Sequence, residues 1–134
     1  MTQAPLAFHE LNTEEDLLQM RAAVRMHAED IGFSKLNQTK IVTTASELGR
    51  NILEHGIGGL VTIEHVKNDF HVGIRMIFKD RGPGIENIEQ ALVDGYTSKG
   101  GLGLGLSGSK RLMDEFELLS PPNEGTIITV TKWT

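Results

Sequence analysis

Two runs of alternating residues constrain this chain more than any other feature. Val61, Ile63 and His65 alternate with Thr62 and Glu64, and Val72, Ile74, Met76 and Phe78 alternate with His71, Gly73, Arg75 and Ile77. A period of two marks a strand with one buried face. Lys67-Asn68-Asp69 between the runs predicts a hairpin connection. A hairpin with one apolar face must be covered by a second layer, and the N-terminal half supplies helices for it. Thr13, followed by Glu14, Glu15 and Asp16, predicts a capped helix start, with Asp16 three residues after Thr13 as in a capping box. Leu17, Val24, Ala28 and Ile31 then share a helical face, and Gly32 is a natural stop. A second helix is predicted from about Asn37 to Glu54, with Ile41, Ala45, Leu48 and Ile52 as its apolar stripe and His55-Gly56 at its end. Gly56, Gly58 and Gly59 predict a turn.

The remaining segments extend the same plan. Leu6 to Leu11 predict a short strand, Ile85 to Val93 a short helix and Leu104 to Phe116 a third main helix. Pro121-Pro122-Asn123 turns the chain into a last strand, Thr126 to Trp133. The expected fold class is α+β: one domain over residues 1–134, a two-layer α/β sandwich whose mixed, mostly antiparallel sheet carries helices on one face.

Composition narrows the function classes. Of 134 residues 39% are hydrophobic and 23% charged, with a net charge of -5, which suits a globular domain and supplies no basic patch for nucleic acid. With no cysteine, disulfide and thiolate chemistry are excluded. The N-terminus MTQAPLAFHELNTEED lacks a basic segment followed by an apolar core. No apolar run approaches the roughly 20 residues of a membrane span. A cytoplasmic protein without a membrane partner is expected, and its N-terminal Met and both ends read as those of a whole chain.

Three stretches are able to carry chemistry. Glu47 and Asn51 are four residues apart, hence on one helix face. A carboxylate and a neutral amide at the edge of a core offer oxygen to a hard cation such as Mg²⁺, which takes only one or two protein oxygens when phosphates supply the rest; the plainer alternative is a solvated helix edge. Asp80-Arg81-Gly82-Pro83-Gly84 follows a strand. It reads as a simple turn, or as a carboxylate that accepts from an exocyclic amine while the glycines let a flat base approach. The third stretch, SKGGLGLGLSGSK over residues 98–110, contains a formal G-x-G-x-x-G. A dinucleotide-binding βαβ reading fails, because Asp94-Gly95-Tyr96-Thr97-Ser98-Lys99 before it is no strand. A glycine loop leading into a helix still presents backbone N–H groups to an anion, with Lys99, Lys110 or Arg111 adding charge.

Taken in order, these stretches resemble the nucleotide-binding boxes of the GHKL (Bergerat-fold) ATPase and kinase superfamily, which includes histidine kinase catalytic domains. Glu47 to Asn51 resembles the N box, Asp80-x-Gly82-x-Gly84 the first glycine box, Gly101-Leu102-Gly103-Leu104-Gly105-Leu106 the second, and Glu124-Gly125-Thr126 the last. A narrower likeness is to the RsbT-type switch kinases of the stressosome. It is carried by Ser46 to Ile52, Asp80 to Ile85, Asp94 to Ser98, Arg111 to Phe116 and Lys132-Trp133, and it spans nearly the whole chain, with the first 35 residues similar only in pattern.

The resemblance implies an ATP- and Mg²⁺-dependent serine/threonine protein kinase that phosphorylates a STAS-domain antagonist and activates a PP2C-type phosphatase by binding it. Glu47 would be the general base or orient the acceptor hydroxyl, and Asn51 would bind Mg²⁺. Asp80 would accept from the adenine amine with Thr126 assisting through water. Gly82 and Gly84 would allow close approach of the base, and Gly101, Gly103 and Gly105 would line the phosphates, with Lys99 reaching them from a mobile lid over about 94–105; Ile85, Leu102 and Leu104 would be further cofactor-binding residues. His55-Gly56 after the N box is similar to sigma-binding anti-sigma kinases, so an anti-sigma factor that holds a sigma factor is the rival function. A docking module without catalysis and a nucleotide-free structural domain are further rivals. The expected state is a monomer or homodimer.

Overall fold

The computed structural model describes residues 6–55, 58–81, 105–120 and 125–134. The elements in chain order are β1 (Leu6–Leu11), α1 (Glu14–Ile31), α2 (Lys35–His55), β2 (Gly59–Lys67), β3 (Val72–Asp80), α3 (Gly105–Leu112), β4 (Glu115–Leu119) and β5 (Ile127–Trp133). The strands form a five-stranded sheet in the order β1-β2-β3-β5-β4. The expected mixed, mostly antiparallel sheet is antiparallel in each of its described pairings.

The predicted helix start is the observed one. Asp16 N donates to Thr13 Oγ1 at 3.1 Å, and Asp16 Oδ2 accepts from Thr13 N at 3.1 Å and Asn12 N at 2.9 Å. The Asn12 amide is the first cause holding the Asp16 carboxyl below its ordinary range. At the other end Gly32 adopts the left-handed conformation, φ 108°, and its N–H reaches Ala28 O and Glu29 O. Leu17, Met20, Val24 and Ala28 are buried, while Ile31 is only half-buried.

Helix α2 begins two residues before the expected Asn37. Ser34 caps it, accepting from Asn37 N at 3.1 Å through its hydroxyl. The predicted stripe Ile41, Ala45, Leu48 and Ile52 is buried against the sheet residues Val61, Ile63, Ile74, Met76 and Phe78 in one core. Each of the larger side chains among them contributes about 1.5–3 kcal/mol by leaving water. Gly49 is the point where α1 and α2 meet. A Cβ there would stand 2.8 Å from Leu17 Cδ1 and 2.9 Å from Met20 Cε, tighter than real contacts allow.

The third main helix is shorter than predicted. It ends at Leu112, and Glu115-Phe116, expected in its last turn, open β4 instead. The residues of β4 alternate between exposed and half-buried, and Glu115 to Leu119 pair with Thr131 to Ile127 of β5. The open edge of β5 supplies a ladder of backbone partners that outweighs local helix preference. The predicted short helix Ile85–Val93, the turn at Pro121-Pro122-Asn123 and the lid up to Leu104 lie outside the described residues.

Candidate nucleotide site

The site is organised at the end of β3. Asp80 is the last residue of that strand and pairs with Gly59, the first of β2. On its other side the chain enters β5. Asp80 N donates to Thr126 O at 3.0 Å, and Thr126 N donates to Asp80 Oδ1 at 3.2 Å. Main chain and side chain of one residue are therefore both tied to Thr126, which is buried. The carboxylate is half-buried and oriented by a backbone donor, as recognition of an amine requires.

Gly125 makes this closeness possible. Its φ is +79°, and a Cβ there would collide with the Asp80 carbonyl oxygen and stand 3.2 Å from Asp80 Oδ1. Only glycine fits both the backbone angle and the space. Ser120, which sequence reasoning did not single out, lies beside it. Its hydroxyl donates to Gly125 O at 3.4 Å and stands 3.4 Å from Thr126 Oγ1. The position of Ser120 at the end of β4 carried no local signal.

Helix α2 reaches the same strand end. A Cβ on Gly59 would be 2.9 Å from Ile52 Cγ2 and 3.1 Å from Asp80 Cα, so Ile52 and Asp80 meet at this glycine. Asn51 precedes Ile52, and Glu47 lies one turn back; both are half-buried. At 100° per residue they stand nearly opposite Gly49, which faces α1. The Arg50 side chain points elsewhere, pairing with Glu14 at 3.1 Å on the exposed surface. The shared face of Glu47 and Asn51 is thus turned away from α1, at the end of the helix that meets the Asp80 strand.

Of the predicted site residues, the structure brings Asp80 and Thr126 into direct contact and sets α2 with Glu47 and Asn51 against the same strand end. Gly105 opens α3, which packs on α2. Gly82, Gly84, Ile85, Lys99, Gly101, Leu102, Gly103 and Leu104 lie outside the described residues. Among the described residues no three acidic or histidine side chains converge as a metal-binding group. A carboxylate and an amide on one helix face suit a cation that takes most of its ligands from phosphates and water. The close backbone around Gly125 and the oriented Asp80 carboxylate suit a flat, amine-bearing base.

Residues 11–132 match the family described as the histidine kinase-like ATPase domain. The chain is 44% identical over 121 residues to the serine/threonine-protein kinase RsbT of Bacillus subtilis, covering 90% of this chain and 91% of that protein. It is 36% identical to an anti-sigma F factor of Clostridium beijerinckii, covering 77% of this chain and 74% of the relative. In fold it is similar to the mycobacterial sensor histidine kinase MprB, with a TM-score of 0.58 at 17% identity over 98% of this chain and 97% of that one. The catalytic domain of the histidine kinase ThkA superposes with a TM-score of 0.55 at 20% identity, covering 95% and 97% of the two chains. The chain belongs to the histidine kinase-like ATPase (GHKL) family, within the group that holds RsbT and the anti-sigma F factors.

Proposed function

We propose that the protein is an ATP- and Mg²⁺-dependent serine/threonine protein kinase of the partner-switching kind, working in the cytoplasm. Its substrate is a STAS-domain antagonist, and its second partner is a PP2C-type phosphatase that it activates by binding. The observation that carries the nucleotide reading is the paired hydrogen bonding of Asp80 and Thr126 beside the α2 face of Glu47 and Asn51. The 44% identity to a serine/threonine-protein kinase supports the choice of reaction.

In this reading Asp80 accepts from the adenine amine, and Thr126 holds the carboxylate in place. Gly82, Gly84 and Ile85 accommodate the base, while Lys99 and Gly101 to Gly105, with the leucines between, wrap the phosphates. Asn51 is the residue that holds Mg²⁺, and the ion, when bound, neutralises charge on the transferring phosphoryl group. Glu47 orients the acceptor hydroxyl and takes its proton as the new O–P bond forms and the bond to the departing ADP oxygen breaks. Phosphoryl transfer asks little covalent chemistry of a protein, so a small set of positioning groups suffices.

The test is to incubate the protein with Mg-ATP and STAS-domain proteins of the same organism, and to search these for phosphoserine or phosphothreonine. The label should vanish in Glu47→Ala. Absence of transfer to every STAS protein tried would count against the reading. The similarity to an anti-sigma F factor favours one alternative, a factor that binds and inhibits a sigma factor. Recovery of a sigma factor in a pull-down with the protein would support it.

A further inference from the structure

Lys132 is a buried charged residue that the mechanism above leaves unused, with 8% of its surface exposed. It lies on β5, on the core-facing side with Ile128 and Val130, where an apolar side chain would fill the space without a polar cost. Its Nζ donates to Leu112 O at 3.0 Å and stands 3.5 Å from Asp114 Oδ1. Asp114 is fastened in turn. Its Oδ2 accepts from Trp133 N at 2.7 Å, and its own N–H donates to Thr131 O at 3.0 Å. Next to it, Glu115 Oε2 accepts from Trp133 Nε1 at 2.8 Å. The C-terminal end of α3 is therefore riveted to β5 by polar contacts from three consecutive strand residues.

Helix α3 needs such a device. It has eight residues, among them Gly105, Ser107, Gly108 and Ser109. Two turns of weak helix formers do not hold themselves in place. Leu106 and Met113 anchor the segment in the core, and Lys132 satisfies a terminal carbonyl that has no partner within the helix, at the end where positive charge is favoured. The opposite end begins at Gly105, the last glycine of the run assigned to the phosphates. A helix of this length spans about 12 Å, so a tilt of about 5° at the clamped end moves the other by about 1 Å. A displacement of that size takes backbone N–H donors out of hydrogen-bond range of a bound anion, which weakens binding.

We propose that Lys132 is a positioning residue for the nucleotide: by clamping the end of α3 to β5, it fixes where the first turn of that helix meets the phosphates. The inference rests on the nucleotide reading of the Asp80 site. Its test measures Mg-ATP affinity by calorimetry, and KM and kcat for phosphotransfer, well below the melting temperature. Lys132→Met should weaken ATP binding and raise its KM by about tenfold, the scale of one lost charge-assisted hydrogen bond, with kcat changed far less. Lys132→Arg should restore most of the affinity. Val130→Ala, a core truncation on the same strand, should lower the melting temperature without moving the KM. The proposal is overturned if Lys132→Met binds ATP like the unmodified protein, or if Val130→Ala raises the KM equally. If Lys132→Met does not fold, Lys132→Gln decides. It keeps a polar tip but is too short to hold Leu112 O and carries no charge, and unchanged ATP affinity in that variant also overturns the proposal. Failure of the unmodified protein to bind Mg-ATP is a different result, because it refutes the nucleotide reading itself.

Discussion

Asp80 and Thr126 exchange two hydrogen bonds, one between their main chains at 3.0 Å and one from the Thr126 amide to Asp80 Oδ1 at 3.2 Å. The contact joins the end of β3 to the entry of β5 and fixes the orientation of the Asp80 carboxylate. It depends on Gly125, whose φ of +79° and lack of a Cβ leave room for the Asp80 carbonyl. Gly125→Ala should therefore destabilise the fold by about 2 kcal/mol, through backbone strain and the displaced strand end. Urea denaturation measures this, and calorimetry should show weaker Mg-ATP binding by the same variant.

Glu47 acts in the proposed mechanism on the acceptor hydroxyl and not on the nucleotide. Glu47→Gln should consequently lose phosphotransfer and keep ATP binding. At 100 times Kd, ATP stabilises a one-site protein by about 2.7 kcal/mol. A thermal shift retained in Glu47→Gln together with lost transfer separates the two roles, whereas a lost shift would place Glu47 in nucleotide binding.

Among the described residues, the buried hydroxyls Thr44 Oγ1 on α2 and Ser109 Oγ on α3 have no protein hydrogen-bond partner. A desolvated polar atom without a partner costs free energy, and an apolar group of equal shape removes the cost. Thr44→Val should raise stability by about 1 kcal/mol, seen as an increase in melting temperature of about 3 °C.

His27 Nδ1 lies 2.8 Å from His65 Nε2, so one ring donates and the other accepts. Burial first, then His65, push His27 below its ordinary value, with Asp30 acting in the opposite direction. Burial and then His27 push His9 down. A histidine depressed in the folded state favours folding while neutral. Its stabilisation is present above the ordinary value of 6.5 and is lost as pH falls through 6.5 toward the lower folded-state values. The unfolding free energy should fall as the pH drops through the ordinary histidine value of 6.5, and the fall should shrink in His9→Asn/His27→Asn.

Local signals carried much of this architecture into the sequence. The Thr13–Asp16 box, the Gly32 stop, the α2 stripe and the alternation of Ile74, Met76 and Phe78 act within a few residues, and each stands where the pattern placed it. Asp80 and Thr126 lie 46 positions apart, and only the resemblance joined them. The missed features are tertiary. Phe116 looks helical beside Leu112 and Met113 until β5 offers its edge, and Lys132, marked in the sequence only as part of the narrower likeness, shows its structural role when its Nζ meets Leu112 O. The Ser34 hydroxyl, which accepts from Asn37 N, sets the start of α2 at Lys35, two residues before the expected Asn37.

In the proposed function Asp80 is the carboxylate that recognises the nucleotide. Calorimetric titration of Mg-ATP into the unmodified protein and Asp80→Asn tests it most directly. The unmodified protein should bind one ATP, and Asp80→Asn should bind it about 10–100-fold more weakly, the scale of a lost hydrogen bond to a charged group, with little change in melting temperature without nucleotide. Equal affinity in the two proteins, or no binding by either, would contradict the account.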